Sequence, residues 1–428
     1  MPVNLNLADG VPVAGVRLAS VAAGIKRDGS TDLVLIALPE GSTTAAVFTQ
    51  SHFAAAPVLL SRQHLASSGG AVRALLVNSG NANAGTGEPG LAMARGHAQA
   101  VAQALEVPLD AVLPFSTGVI GQALPDVRLR GGIEAAAALI RADAEGGDGA
   151  GEGIHDGPAW QRAARGIMTT DTQPKLTSRS LEVAGTLVTL TGFAKGAGMI
   201  EPDMATMLAY VFTDAAIDAA SLDRALRGAV ATSFNAITVD SDTSTNDSLV
   251  LCATGRGAAL GPDHADWQAF VDALSALCLD LAQAIVRDAE GATKFITVRV
   301  AGGDSVAECR SVARAIANSP LVKTALFASD ANVGRLLMAI GKAQVPEPAN
   351  PVLSVRLDAN RIDVRIGDVL AFAAGGVAAG YTEERGAAVF AREEILIEVA
   401  LGRGEAVFEV YTSDLSHDYV RINADYRS

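Results

Sequence analysis

At 428 residues the chain can hold two or three domain-sized cores, and its 49% hydrophobic content with 43 glycines is that of a folded protein rather than a disordered one. A formal net charge of −14, with no Lys/Arg run longer than two, excludes the basic footprint of a nucleic-acid binder or of a partner for an anionic membrane. Three widely spaced cysteines, Cys252, Cys278 and Cys309, fit neither a disulfide framework nor a zinc site and point to a reducing cytoplasm.

From the N-terminus, "MPVNLNLADGVPVAG" lacks a basic and apolar leader. "RALLVN" (73–78) reads as a short strand running into a glycine-rich loop, and "LAMARGHAQAVAQAL" (91–105) as the helix that follows. "AEGGDGAGEG" (144–153) reads as a mobile surface loop. Nine nearly all-apolar residues, Met204 to Phe212, predict a strand buried on both faces, with Pro202 just ahead of it and Thr206 near its start. Trp267, Phe270, Leu274, Cys278, Leu281 and Ile285 recur at three- and four-residue steps and predict a helix over 266–289 with one buried stripe. The apolar stretch from Val369 is too short and too glycine-rich to span a bilayer. Two hairpins are expected near the C-terminus: "LSVRLDANRIDVRI" turning at Ala359 and Asn360, and "EILIEVALGRGEAVFEVY" turning at Gly402 to Gly404. The pattern is mixed α/β.

Standard site signatures are absent: no H-E-x-x-H, no G-x-S-x-G and no Walker A loop. "GTGEPG" (85–90) has the G-x-G-x-x-G spacing, but "NSGNANA" separates it from its strand and Pro89 stiffens the turn, so it reads as a glycine-rich loop. "DSDTSTND" (240–247) resembles a calcium loop in Asp240 and Asp242 only. Thr245 and Leu251 stand where such a loop needs glycine and a bidentate glutamate, so a structured polar turn is expected. The six histidines show no ligand spacing, and no metal is expected.

Thr206 is either a β-branched strand former or a nucleophile. A threonine hydroxyl needs a base, and cleavage of the backbone before Thr206 would supply one as its own α-amine. With a pKa near 7.7–8.0, about one such amine in seven is neutral at pH 7, whereas a lysine almost never is. The small residues of "KGAG" upstream would allow the strained turn that self-cleavage requires, by attack of the hydroxyl on the Ala205 carbonyl.

The stretch "KGAGMIEPDMATML" closely resembles the signature of the ornithine acetyltransferase family, whose bifunctional members are also N-acetylglutamate synthases of arginine biosynthesis. "VNSGNANAGTG", "STGVIG", "MTTDT", "TVDSDTSTNDS", "RDAEGATK" and "INADYRS" resemble further family motifs in family order, spanning about 77–428. Gly85, where cysteine is expected after "NANA", and Val333, where tryptophan is common, depart from the pattern and affect local packing.

The resemblance implies a layered α/β sandwich with strands between helix layers and an N-terminal-nucleophile-like site, plus a smaller C-terminal α/β domain over about 296–428. It implies self-cleavage between Ala205 and Thr206, giving an α chain (1–205) and a β chain (206–428) assembled as α2β2. Thr206 is then the nucleophile, Thr117 and Gly118 the oxyanion hole, and Thr169, Lys195, Thr206, Glu290, Asn423 and Ser428 the substrate contacts, with Thr170 and Thr172 as rivals to Thr169. The implied reaction moves an acetyl group from N2-acetylornithine to glutamate through acetyl-Thr206. It uses no metal or redox cofactor, and acetyl-CoA is a co-substrate only if this member also runs the synthase reaction. The rival readings are a related self-cleaving aminopeptidase or amidase, in which water takes the acyl group, a dinucleotide binder built on "GTGEPG", and an uncleaved binding module for acetylated amino acids.

Overall fold

The computed structural model describes residues 2–144, 155–201, 207–347, 350–354 and 356–425. The chain forms two compact units, one of Asn6–Asn235 and Thr243–Ile285, the other of Met1–Leu5, Ala236–Asp242 and Val286–Ser428.

The first unit is built from two sheets. One holds Arg17–Val21, Leu33–Ala37, Ala74–Asn81 and Val112–Val119 in that spatial order. The other holds Thr43–Phe48, Ser248–Ala253, Leu208–Thr213, Thr186–Lys195 and Lys175–Val183. Alternation along the strands sets the layers, because successive side chains leave opposite faces. From Leu33–Ala37, Val34 and Ile36 enter a core shared with Phe193, Leu208, Tyr210 and Phe212 of the second sheet. Leu33 and Leu35 instead join Ala98, Val101, Ile133 and Ala137 of the helices Gly87–Leu105 and Asp126–Ala144. On the far face of the second sheet, a Cβ on Gly192 would lie 2.9 Å from Leu277 and 3.0 Å from Leu281. The helix Trp267–Arg287 therefore packs there at close range. The unit is helix, sheet, sheet, helix, matching the layered α/β expectation. Between the sheets, the Trp160 ring meets Phe212 edge-on at 5.4 Å and Phe115 meets Tyr210 at 5.4 Å.

The expected core strand is present as Leu208–Thr213, all six residues buried, and it starts later than the apolar run suggests. Its first ladder bond at that end runs from the Ser248 amide to the Met207 carbonyl (2.8 Å), so the partner strand sets the start. The helix of the 3.6-residue stripe is also found. Phe270, Leu274, Cys278, Leu281 and Ile285 are fully buried, while Trp267 is half-buried and stacks on Phe270. The strand expected over 73–78 runs on to Asn81, and the helix after it starts four residues early, at Gly87. Of the loop expected at 144–153, Ala144 ends a helix and the rest lies outside the described residues.

The second unit centres on a seven-stranded sheet in the order Gly376–Val377, Val369–Ala373, Asp363–Ile366, Glu394–Ala400, Phe295–Gly303, Ala406–Ser413 and Ile237–Thr238. The helix Val306–Ala317 packs on Phe295–Gly303 and Ala406–Ser413. Neither C-terminal hairpin forms as expected. Glu394–Ala400 and Ala406–Ser413 are both strands, but Phe295–Gly303 lies between them, parallel to the first and antiparallel to the second. The Gly402–Gly404 turn instead clasps this inserted strand, with the Arg403 and Gly404 amides donating to Gly302 O at 2.7 and 2.8 Å. In the other segment, Asn350–Ser354 pairs with Pro346–Glu347 and Asp363–Ile366 pairs with Val369–Ala373. Asp358 accepts from the Asn360 amide and starts a 3-10 turn at Ala359–Arg361, which does not fold the two arms together.

Candidate active site

In the first unit the parallel strands Ala74–Asn81 and Val112–Val119 end side by side on two motifs, with Ser79 in register with Thr117 and Gly80 with Gly118. Gly80 and Gly118 have φ of +102° and +129°, in the region that favours glycine. A Cβ on Gly118 would lie 2.3 Å from the Gly80 carbonyl carbon and 2.5 Å from the Asn81 nitrogen, so the strand ends touch backbone to backbone. A web of asparagines fixes the turn. Asn78 accepts from the Ser116 hydroxyl at 2.6 Å and donates to Asn81 O at 2.9 Å. Asn246 donates to Ala82 O at 2.6 Å and Ser116 O at 2.8 Å. Gly90 of "GTGEPG" is explained locally, since a Cβ there would lie 1.9 Å from the Thr86 hydroxyl. At Gly85 the added Cβ would meet nothing nearer than 3.9 Å, although φ is +66°. Val333 opens the helix Val333–Gly341 as a buried residue.

Lys195 ends the strand Thr186–Lys195, and its ammonium donates to the Thr117 hydroxyl at 3.1 Å. Two predicted site residues thus meet directly. Asp171, buried in the loop after the helix Gly157–Gly166, organises their surroundings. Its carboxylate accepts from Lys175 Nζ at 2.6 Å, the Gly196 amide at 2.7 Å and the Thr169 amide at 3.0 Å. Burial alone would raise its pKa, but the ammonium groups of Lys175 and Lys195 overcome that and hold it well below the carboxylate range. Thr169 is placed by this contact through its backbone. Thr170 is half-buried beside it, and Thr172 is exposed. Lys26, its pKa lowered first by burial, interacts electrostatically with Asp171 and Lys195.

Past Lys195 the chain turns through Gly196 (φ +148°) and Met199 (φ +54°), a left-handed non-glycine residue upstream of the expected cleavage point. Ala205 and Thr206 lie outside the described residues, as does Ser428.

One group that sequence reading left unassigned is Asp247. It is 2% exposed, and among the described residues its Oδ2 has no hydrogen-bond partner. Burial pushes its carboxyl well above the usual range, with Ser244 and then Lys195 pulling it back. The only sign of it in sequence was its place in "DSDTSTND". Asp171 and Lys175 were also missed, although their four-residue spacing next to "MTT" was visible.

In the second unit Glu290 is buried, and its Oε2 accepts from Asn423 Nδ2 at 2.7 Å. Asn423 lies on the helix His417–Asp425 and also donates to Tyr419 O at 3.0 Å. The rest of "EGATK" is structural. A Cβ on Gly291 would lie 2.6 Å from the Tyr419 nitrogen, and the Asp414 carboxylate takes both the amide (2.8 Å) and the hydroxyl (2.6 Å) of Thr293. Lys294 reaches the carbonyls of Leu326 and Phe390, at the ends of the helices Pro320–Phe327 and Glu383–Phe390. The Tyr419 hydroxyl donates to Asp240 at 3.1 Å, and burial together with that carboxylate pushes its pKa well up. Among the described residues no cluster of His, Cys, Asp and Glu could hold a metal ion.

A layered α/β unit whose glycine-locked strand ends present a hydroxyl to a lysine ammonium has the parts of an acyl- or carboxylate-handling enzyme. The ArgJ family model matches residues 17–428, and the chain belongs to this family. It is 47% identical over 420 residues to the arginine biosynthesis bifunctional protein ArgJ of Pseudomonas fluorescens, covering 97% of each chain. It is 48% identical over 420 residues, again with 97% of each covered, to the protein of that name from Pseudomonas syringae pv. tomato. A solved ArgJ structure from Bacillus halodurans is 40% identical, covering 50% of this chain and 97% of that one, with a TM-score of 0.46.

Proposed function

We propose that this chain is a glutamate N-acetyltransferase of arginine biosynthesis that moves the acetyl group of N2-acetylornithine to glutamate. Family membership over nearly the whole chain supports the activity. The observation that carries the chemistry is the Lys195 ammonium 3.1 Å from Thr117, beside the locked Gly118. The precursor cuts itself between Ala205 and Thr206 into chains 1–205 and 206–428, which assemble as α2β2 in the cytoplasm. The freed α-amine takes the Thr206 hydroxyl proton, the oxygen attacks the acetyl carbonyl, and Thr117 and Gly118 donate to the developing oxyanion. Ornithine leaves, glutamate enters, and the acetyl ester is transferred to its amine. Lys195 holds the α-carboxylate that both amino acids carry, with Thr169, Asn423 and Ser428 as neutral contacts, and Glu290 meets the ammonium of ornithine. The relatives are named bifunctional, and we extend that to acetyl-CoA as an alternative acetyl donor here.

Intact mass under denaturing conditions tests the first step. The wild type is expected as two chains, the second beginning at Thr206, and Thr206→Ala as one. A wild type that stays whole defeats the mechanism. Release of free acetate in place of N-acetylglutamate would identify the hydrolase rival.

A further inference from the structure

The seven-stranded sheet of the second unit has one open face. Alternation sends Val298, Val300, Ile397, Val399 and Val410 to one side, where all are buried, and the helix Val306–Ala317 packs on the sheet. The opposite side carries Leu396, 37% exposed, Val407, 40% exposed, and a row of charges. The register sets Arg365 opposite Glu398, Glu398 opposite Arg299, and Arg299 opposite Glu409, one residue from each of four adjacent strands. At about 4.8 Å between strands, the row alternates in sign over roughly 14 Å. It is not closed on itself. Arg299 reaches Glu409 at 3.5 Å with their side chains 45% and 34% exposed, and such surface pairs contribute about 0–1 kcal/mol. Among the described residues the side chains of Arg365 and Glu398 enter no hydrogen bond or ion pair. Parallel strands are usually covered on both faces. Yet Glu394–Ala400 and Phe295–Gly303 run parallel near the centre of this open one.

We propose that a second copy of the chain docks on this face, about a two-fold axis running along the strands between Glu394–Ala400 and Phe295–Gly303. The alternation of sign identifies the occupant. A partner of one sign, such as a nucleic acid or an anionic membrane, would attract two of the four charges and repel the other two. Under the two-fold axis the row meets itself reversed. Arg365 then faces the partner's Glu409 and Glu398 faces the partner's Arg299, so every contact joins opposite charges. The same patch serves on both copies, as an isologous dimer requires. Around the row, Leu396, Val407, Ala301 and Ala400 are small or apolar, which suits sheets that approach to about 10 Å. The long Arg and Glu side chains absorb the twist of about 30° between packed sheets. The inference rests on the α2β2 reading for the number of copies alone and adds the surface.

The test is charge reversal in the full chain, with mass and Kd read by analytical ultracentrifugation. The wild type is expected as two copies, with a Kd that rises with salt. Arg299→Glu sets glutamate against glutamate at both symmetric contacts, and Glu398→Arg sets arginine against arginine. Each variant alone is expected to raise Kd about 100-fold or more. An equimolar mixture of the two restores opposite charges at both contacts and is expected to pair with near wild-type affinity. The double variant should do the same. Misfolding of either chain could not give that restoration, and a mixture that stays apart overturns the proposal. Single variants that keep the wild-type Kd also overturn it, while leaving α2β2 assembly to another surface. A wild type of one copy removes both readings. Should a reversal prevent folding, Arg299→Gln and Glu398→Gln replace the pair. Each is then expected to raise Kd about tenfold, and an unchanged Kd overturns the proposal.

Discussion

Gly118→Ala probes the link between backbone geometry and chemistry most directly. The added Cβ would lie 2.3 Å from the Gly80 carbonyl carbon, 2.5 Å from the Asn81 nitrogen and 2.6 Å from the Gly80 oxygen, all backbone atoms that no rotamer change can move. It would also sit on a residue with φ of +129°. Unfavourable φ costs about 1–2 kcal/mol, and forcing two packed strands apart adds roughly 1–3 kcal/mol. Together these predict a loss of about 2–5 kcal/mol, or a melting point lower by roughly 10 °C. Gly80→Ala is the internal control. Its φ is similarly positive, but its Cβ would meet only the side chains of Ile25 (3.1 Å) and Lys26 (3.3 Å), with the nearest backbone atom at 3.6 Å. It should therefore lose the conformational part and little of the rest. Differential scanning fluorimetry ranks the two variants, and a transfer assay at saturating substrate reads the second consequence. Parting the strand ends displaces the Gly118 amide from the oxyanion, which predicts a kcat lower by about 10²–10³. If Gly118→Ala melts with Gly80→Ala and retains wild-type kcat, the locked contact is neither structural nor catalytic and the reasoning fails.

Lys195→Met should raise KM for both amino-acid substrates by roughly 10- to 100-fold, since both present the same α-carboxylate, and steady-state kinetics on each checks it. Asp171→Asn removes the carboxylate charge that faces the Lys175 ammonium, 0% exposed, at 2.6 Å. It should cost about 3–5 kcal/mol, and Asp171→Asn with Lys175→Met should recover most of that in the melting temperature. Because the folded pKa of Asp171 is depressed, its contribution is complete above the unfolded value of about 3.9 and fades as pH falls below it. The Lys323 ammonium is lowered by burial to about 8 from 10.5, Asp414 and Asp240 opposing. Between those values the unfolded state binds more protons, so the wild type should gain stability with rising pH relative to Lys323→Met, as paired melting curves would show. Removal of residues 423–428 takes away the Asn423 partner of Glu290 and should abolish transfer while leaving the melting temperature near wild type, since the described part of that end is mostly exposed.

What could be read in advance divides along physical lines. The strand Leu208–Thr213 and the helix Trp267–Arg287 are local in origin, because an apolar run or stripe of that length must be buried wherever the chain places it. The failed hairpin at Gly402 shows the limit. Alternation marked both arms correctly as strands, but alternation says which face is buried and nothing about which strand lies alongside. Sequence neighbours often pair, yet here Phe295–Gly303, about a hundred residues upstream of both arms, takes the place between them. The site divides in the same way. Its motifs were visible because short spacing is preserved in sequence, whereas the meeting of Lys195 with Thr117 joins residues 78 positions apart. Asp247 is the sharpest case. In "DSDTSTND" it is one of three carboxylates, and spacing alone made Asp240 and Asp242 the interesting pair. The structure reverses that ranking through burial: Asp240 and Asp242 are the more exposed, and Asp247 is enclosed with an oxygen unanswered among the described residues. Solvent is what makes a carboxylate ordinary, and its removal depends on every strand packed around the group, which no local pattern encodes.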